Sequence, residues 1–462
     1  MNTIAQPATA PVRKTTTFTY LLAALAGLMF GLDIGVISGA EKLIQAQFGI
    51  SDSYIEWIVS SMMLGATIGA AVAGWISSRL GRKRALIISA FLFVVGSLFC
   101  AAAWSPAVLV GARLLLGLAI GVAAFTAPMY LAEVAPQKIR GAMISTYQLM
   151  ITIGILGAFL SNTGFSYSGN WRWMLGVIAI PGLLFFFGVM LLPESPRWLV
   201  MRGRSDDARK VLRKLRTSEA SVDSEVGEIE AQLKIPQRGW DLFFSNSNFR
   251  RSVGLGVMLQ IVQQLTGINV LMYYAPRIFE HVGFVGSAGM WTTVILGATN
   301  VLATFIAIAF VDRIGRKPIL YAGFVVMAIG WGSVGVMMHL GIHTTGEQIF
   351  SVAMLLLFVV GFAMSAGPLV WAICSEIQPL KGRDFGIGVS TVTNWVVNFI
   401  VGVTFLSLIN WIGTAATFGL FASLNAIFLI FTFFLIPETK DVSLEEIERN
   451  LMAGKPLREI GA

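Results

Sequence analysis

Residues 18–39 read FTYLLAALAGLMFGLDIGVISG. One charged side chain, Asp33, interrupts 22 residues that are otherwise uncharged. As a helix this stretch is about 33 Å long, enough to cross a hydrocarbon core of about 30 Å. Eleven further runs of similar length follow, at 55–77, 85–104, 108–132, 141–162, 173–192, 252–274, 289–311, 318–340, 350–374, 385–408 and 415–436. They lack the two-residue alternation of a strand, and only helices or closed barrels satisfy their backbone in lipid. The expected fold class is an all-α membrane protein with twelve transmembrane helices. Composition agrees: 56% of the chain is apolar, 13% is charged, and the mean hydropathy is +0.75. A soluble surface needs more charge than that.

The net charge of +8 does not indicate a nucleic-acid partner, because the basic residues form short clusters between the apolar runs. With the N-terminus inside, all but four of the 33 basic residues fall on one side; the four are Lys42, Arg113, Arg172 and Arg277. That asymmetry predicts that both termini are cytoplasmic. The polar stretch before the first run carries Arg13 and Lys14, and the run itself is too long for a signal-peptide core. Five segments result: a tail, 1–17; a six-helix half, 18–192; a linker, 193–251; a second six-helix half, 252–436; and a tail, 437–462. The linker contains helix-like charged stretches such as 205–216, with Asp206 four residues before Lys210. Cys100 and Cys374 lie inside apolar runs, and His281, His339 and His343 stand at or beyond span ends without ligand spacing. No disulfide framework, metal or cofactor is expected, and an intramembrane enzyme lacks its nucleophile and base.

The two halves repeat each other. Arg79-Leu80-Gly81-Arg82-Lys83 follows span two, and Arg313-Ile314-Gly315-Arg316-Lys317 follows span eight, 234 residues later. Glu133-x-x-Pro136-x-x-x-Arg140 returns as Glu376-x-x-Pro379-x-x-x-Arg383, 243 residues later. Pro193-Glu194-Ser195-Pro196-Arg197 returns as Pro437-Glu438-Thr439-Lys440, 244 residues later. A six-plus-six duplication places a substrate site between the halves near the bilayer midplane.

These paired motifs, with Gln263-Gln264-Leu265-Thr266-Gly267-Ile268-Asn269, resemble the sugar porter family of the major facilitator superfamily. The resemblance covers essentially the whole chain and is strongest to the bacterial galactose–proton and arabinose–proton symporters, through segments such as 375–384. It implies two pseudo-symmetric six-helix halves, a monosaccharide and protons as partners, a bacterial inner membrane, and a monomer. Two departures stand in the loop motif: Ser78 where the family usually has Asp, and Ile308 where the second copy usually opens with Gly.

Asp33 and Arg113 are the charges that lie inside the spans away from their ends, while Glu56 sits at a rim. An ionised group in lipid costs about 3 kcal/mol or more, so such residues are paired or functional. Both stand a similar distance from the outer ends of spans one and four, which lets them meet. Burial disfavours the ionised carboxyl and a guanidinium favours it, so a motion that alters their separation alters proton binding. The pair is therefore either the proton site or a static pin between two helices. The resemblance points to the former, since proton-coupled family members carry Asp here and facilitative carriers a neutral residue. A related xylose symporter has a Glu in span six where this chain has Ile178, so a scheme needing that second carboxylate does not apply.

Sugar hydroxyls call for amides, and sugar C–H faces for an indole. Within the spans lie Gln148, Gln260, Gln263, Gln264, Asn269, Asn300, Trp371, Asn394, Trp395 and Asn398. Gln260, Gln263 and Gln264 share one helical face. They either line a cavity or bond helix to helix. The family assigns sugar contact to Gln148, Gln263, Gln264, Asn269, Asn300 and Trp371. Asn394 stands where the xylose symporter has Gln, and Ile155 replaces a further Gln. Tyr273 and Tyr274 are an outer gate or an interfacial aromatic belt, with Gly267 and Pro276 breaking the helix nearby. For an inner gate, Glu133 and Glu376 are expected to pair across the halves with Arg383 and Arg140, reinforced by Arg82 and Arg316. A proton-independent facilitator is the remaining alternative.

Overall fold

The structure is a computed structural model in which residues 14–136, 140–216, 218–233 and 239–461 are described. Of these, 87% are helical, and no strand occurs among them. Twelve helices are long and apolar enough to cross a bilayer: Thr19–Phe48, Asp52–Leu80, Arg82–Ala102, Pro106–Val134, Ser145–Ser166, Trp171–Leu191, Ser247–Tyr273, Ser287–Phe310, Arg316–Leu340, Thr345–Glu376, Leu380–Ile412 and Thr414–Leu435. They are numbered one to twelve below. Span one continues past Gly39, where hydropathy ended it. Glu41, Lys42, Gln45 and Gln47 lower the hydropathy without breaking the backbone ladder, and the turn waits for Gly49 at φ 61°.

Within the first half, span one lies on span five and span two on span four, and small residues set the distance. A Cβ on Gly35 would fall 2.5 Å from that of Ala158, and one on Gly39 would fall 2.6 Å from Asn162. Gly65 and Gly117 face carbonyls of the opposite helix in the same way. Without a hydrophobic driving force in lipid, close backbone approach is what holds such pairs. Asn162 adds hydrogen bonds from Nδ2 to the carbonyls of Gly35 and Val36, at 2.8 and 3.2 Å.

Helices at Pro196–Met201, Ser205–Leu215, Glu219–Leu233 and Gly239–Ser245 lie between spans six and seven. The first three share a small core of Trp198, Leu199, Leu212, Val222 and Val226. Arg216 fastens this unit to the first half. It donates to both oxygens of Glu225 at 2.8 and 2.7 Å and to the carbonyl of Val134 at 3.1 Å. The fourth helix packs Trp240 edge-on and Phe243 at a tilt against Phe385 of the second half, at 4.9 and 5.4 Å between centroids. We call this side of the bundle the linker face and the opposite side the far face.

The repeated Pro-Glu motifs do the same work twice. Glu194 Oε1 accepts the backbone N–H groups of Arg82, Lys83 and Ser195 at 2.9 to 3.1 Å. Glu438 accepts those of Arg316, Lys317, Thr439 and Lys440 over the same range. Each carboxylate thereby caps the N-terminus of the third helix of its half, where free N–H groups and the helix dipole favour an anion. Gly81 and Gly315, at φ 98° and 106°, leave room for it: a Cβ on Gly315 would stand 2.8 Å from Glu438 Oε2.

Candidate functional site

Asp33 lies midway along the helix of span one and is wholly buried, as is Arg113. Arg113 Nη1 donates to Asp33 Oδ1 at 2.9 Å, while Nε and Nη2 lie 3.4 Å from the carbonyls of Ile58 and Val59 on span two. Asp33 Oδ2 is buried without a partner. The guanidinium thus ties span four to spans one and two, and the carboxylate is held by Arg113 alone. A carboxylate with one free oxygen can take up a proton without first giving up every contact.

The amides of span seven divide into two groups. Asn394 Nδ2 donates to Gln260 Oε1 and Gln263 Oε1 at 2.6 and 2.8 Å, so both glutamines meet one residue of span eleven. Gln263 Nε2 donates onward to the carbonyls of Ala366 and Gly367, where span ten breaks at Ser365. Gln264 turns elsewhere and accepts from Asn269 Nδ2 at 2.5 Å. Span seven itself breaks at Leu265, with Gly267 at φ 92°. The carbonyl of Thr266 freed by that break accepts from Trp331 Nε1 and Asn425 Nδ2, at 3.0 and 3.2 Å. Trp395 is buried and packs on Phe30 of span one, 5.3 Å between centroids, so it lies at the junction of the halves. Asn300 is buried, Gln148 is half-buried, and Trp371 is 37% exposed. Buried amides with spare hydrogen-bonding atoms, such as Gln260 Nε2 and Asn398 Oδ1, are what a polyhydroxy ligand requires of a site.

Tyr273 and Tyr274 are both fully buried. An aromatic belt meets lipid headgroups, so that reading of the two tyrosines is set aside. Tyr273 Oη accepts from Asn398 at 3.2 Å, and Tyr274 Oη donates to the carbonyl of Gly402 at 3.1 Å. Around them the two halves are closed at the far face. Arg277 donates to Glu41 and Asp52 at 2.8 Å each and also to Gln45. Lys42 pairs with Glu280. Glu56 accepts from the N–H and hydroxyl of Ser407, at 2.8 and 2.6 Å. Arg277 stands outside the spans, and although burial opposes its charge, Glu41 and Asp52 outweigh that and raise its pKa.

Among the described residues, the ion pairs that join the halves are all on that far face. On the linker face Glu133 and Glu376 each have an arginine in their own half. Arg82 grips Glu133 with two hydrogen bonds at 2.9 and 2.8 Å, joined by Ser195 Oγ at 2.6 Å. Arg316 Nη2 lies 3.3 Å from Glu376. Arg383 Nε reaches the carbonyl of Gln378 at 3.4 Å, in its own half. The expected pair of Glu133 with Arg383 is therefore not made in this conformation, where Arg82 holds Glu133 and Arg383 turns to Gln378; the expected partner of Glu376 is Arg140. The side chain of Arg140 lies outside the described residues.

Sequence reasoning missed Glu41, Lys42, Asp52 and Arg277, which sit at span ends where charges are ordinary. A faint signal was present, since Lys42, Arg113, Arg172 and Arg277 were the four exceptions to the basic asymmetry. The structure gives each one a partner. Arg172, for example, donates to the carbonyls of Ala101 and Ala103 at the end of span three.

This arrangement, two six-helix halves around buried amides with a wholly buried ion pair inside one half, defines a transporter rather than an enzyme. The family model for the sugar (and other) transporters matches residues 19–451, and the chain belongs to that family. It is 61% identical over 448 residues to the galactose-proton symporter of Escherichia coli (strain K12), covering 97% of each chain. It is 53% identical over 453 residues to the arabinose-proton symporter of the same organism, covering 97% of this chain and 96% of that one. Among solved structures, the partially occluded inward open conformation of the E. coli xylose transporter XylE matches with a TM-score of 0.82 at 30% identity, covering 93% of this chain and all of that one. The proton:xylose symporter XylE bound to 6-bromo-6-deoxy-D-glucose gives 0.78 at 30% identity, covering 96% of this chain and 98% of that one.

Proposed function

We propose that this protein carries a monosaccharide of the galactose, glucose or arabinose class into a bacterial cell together with a proton, by alternating access, as a monomer in the inner membrane. The names of its two E. coli relatives support the substrate class and the coupling. The distribution of basic residues supports a cytoplasmic linker face and cytoplasmic termini; on that orientation the conformation described is closed to the outside and faces in. The observation that carries the coupling is the fully buried Asp33, paired through one oxygen to Arg113 and free at the other.

Residues 18–192 and 252–436 move as two bodies, with 193–251 as the linker and 1–17 and 437–462 as tails. Sugar binds between them through Gln148, Gln263, Gln264, Asn269, Asn300, Trp371, Asn394 and Trp395. Tyr273 and Tyr274 close the outer gate. When the protein turns outward, Glu133 and Glu376 exchange Arg82 and Arg316 for Arg383 and Arg140, which closes the inner gate. Asp33 and Arg113 separate or approach as the halves rock, and the proton binds or leaves with that motion.

A pH electrode in a lightly buffered suspension of de-energised cells tests the coupling. Adding sugar is expected to make the medium alkaline as protons enter with it. Uptake of labelled sugar with no pH change would reduce the protein to a facilitator.

A further inference from the structure

The far-face contacts around Glu41 are separate from the Asp33–Arg113 pair, and among the described residues they include the ion pairs that join the halves. Glu41 is wholly buried on span one, and Arg277 is 13% exposed on the short helix Ala275–Val282 of the other half. Their hydrogen bond measures 2.8 Å, and Glu41 Oε2 is buried with no partner. The ionised form of Glu41 is therefore held to the second half by Arg277 alone. That same helix begins one residue after Tyr274, so whatever holds Arg277 also holds the tyrosines over the amide cluster.

The charged and titratable groups around Glu41 are Lys42 on its own helix, Asp52 on span two, and Tyr274 and Arg277 on the second half; Glu56, Glu280 and His281 in turn face Tyr274, Lys42 and Arg277. Beside Arg277 a cavity of about 210 Å³, lined by Asp52, Arg277, His281, Phe405 and Asn410, reaches toward the far face. It is large enough to hold several waters beside Arg277, the partner of Glu41.

We propose that Glu41 is a proton-operated latch on the outer gate, distinct from the coupling carboxylate Asp33. Ionised Glu41 holds Arg277 and keeps the gate helix against span one. A proton from the far solution neutralises Glu41 and removes one of the ion pairs that hold the gate helix; Arg277 keeps Asp52 and Gln45, and the balance shifts toward the open gate. The carrier then opens outward most readily where protons are abundant, which is the side from which a symporter must load. This rests on the alternating-access reading above.

The test is a distance measurement by pulsed electron resonance on full-length protein in nanodiscs, spin-labelled at Ser53→Cys and Ser287→Cys. Both positions are exposed at the far face on opposite halves, and the native Cys100 and Cys374 are buried from the label. In the parent protein the short, closed distance dominates in alkaline buffer, and a longer one grows in mildly acidic buffer. Glu41→Gln raises the long-distance fraction in alkaline buffer on the order of tenfold, the effect of losing one charge-assisted hydrogen bond, and abolishes its response to acid. Glu41→Asp keeps the acid response. Arg277→Gln opens the gate from the other side of the same contact, so the latch is tested even if one variant folds poorly. A Glu41→Gln protein with the parent's distances and acid response overturns the latch. Distance changes driven by saturating sugar, read in the same samples, report alternating access separately.

Discussion

Replacing Asp33 by Asn removes one ionisable group and keeps the shape of the side chain. The remaining amide oxygen can still accept the 2.9 Å hydrogen bond from Arg113 Nη1, so the helices stay pinned. Asp33→Leu would instead leave the buried guanidinium with neither a counter-charge nor this acceptor, at a cost of about 3–5 kcal/mol. Asp33 and Arg113 are the internal ion pair of the first half, so one proton per sugar is expected. One elementary charge crossing about 100 mV is worth about 2.3 kcal/mol. At about 1.36 kcal/mol per factor of ten, that potential supports an accumulation of about 50-fold. The assay is labelled galactose uptake into proteoliposomes under an imposed potassium diffusion potential, negative inside. The parent protein should approach that ratio, whereas Asp33→Asn should stop at equal concentrations and still exchange internal for external sugar. Accumulation by Asp33→Asn would remove the proton from this residue. Loss of exchange as well would make the pair a structural pin.

Gly402→Trp should prevent far-face closure, because even a Cβ there would lie 2.9 Å from Ser60 Oγ and 3.0 Å from Met63 Sδ across the halves. Net transport should vanish while sugar binding from outside, measured by fluorescence quenching, persists. Gln264→Ala should weaken sugar binding by about 1–3 kcal/mol through an unpaired hydroxyl, and unchanged calorimetric affinity would take it out of the site. Glu194→Gln and Glu438→Gln should each lower thermal stability by a similar amount, roughly 1–3 kcal/mol. Lying in different halves, they should add in the double variant within about 0.5 kcal/mol. His281 has its pKa lowered from 6.5 by partial burial and then by Lys42 and Arg277. The folded protein thus favours neutral His281, and stability contributed above that value is lost as the pH falls below it. With three histidines in the chain, selectively labelled NMR should find one titrating below 6.5, and Lys42→Gln should bring it upward.

The spans were legible because lipid leaves few alternatives to a long uncharged helix. The internal ion pair was legible because Asp33 and Arg113 stand out against an apolar background at similar depth. Helical spacing also placed Gln260 and Gln263 together, though it could not foresee that Asn394 would join them while Gln264 turned to Asn269. The far-face latch was hidden for a different reason. Glu41 and Arg277 are 236 residues apart, and each lies where a polar side chain needs no explanation. Partner choice on the linker face was hidden as well. Glu133 has candidate arginines in either half, and the order of residues does not say that it takes Arg82 of its own half.

The twin carboxylates Glu194 and Glu438 have a consequence for how the molecule moves. Each ties the strand of chain leaving the last helix of a lobe to the start of that lobe's third helix, like a buckle closing a belt. A lobe fastened in this way resists internal shear, so deformation is driven to the seams between lobes and to the broken helices seven and ten that border them. Cutting one buckle should soften its own lobe and let sugar slip without moving the other.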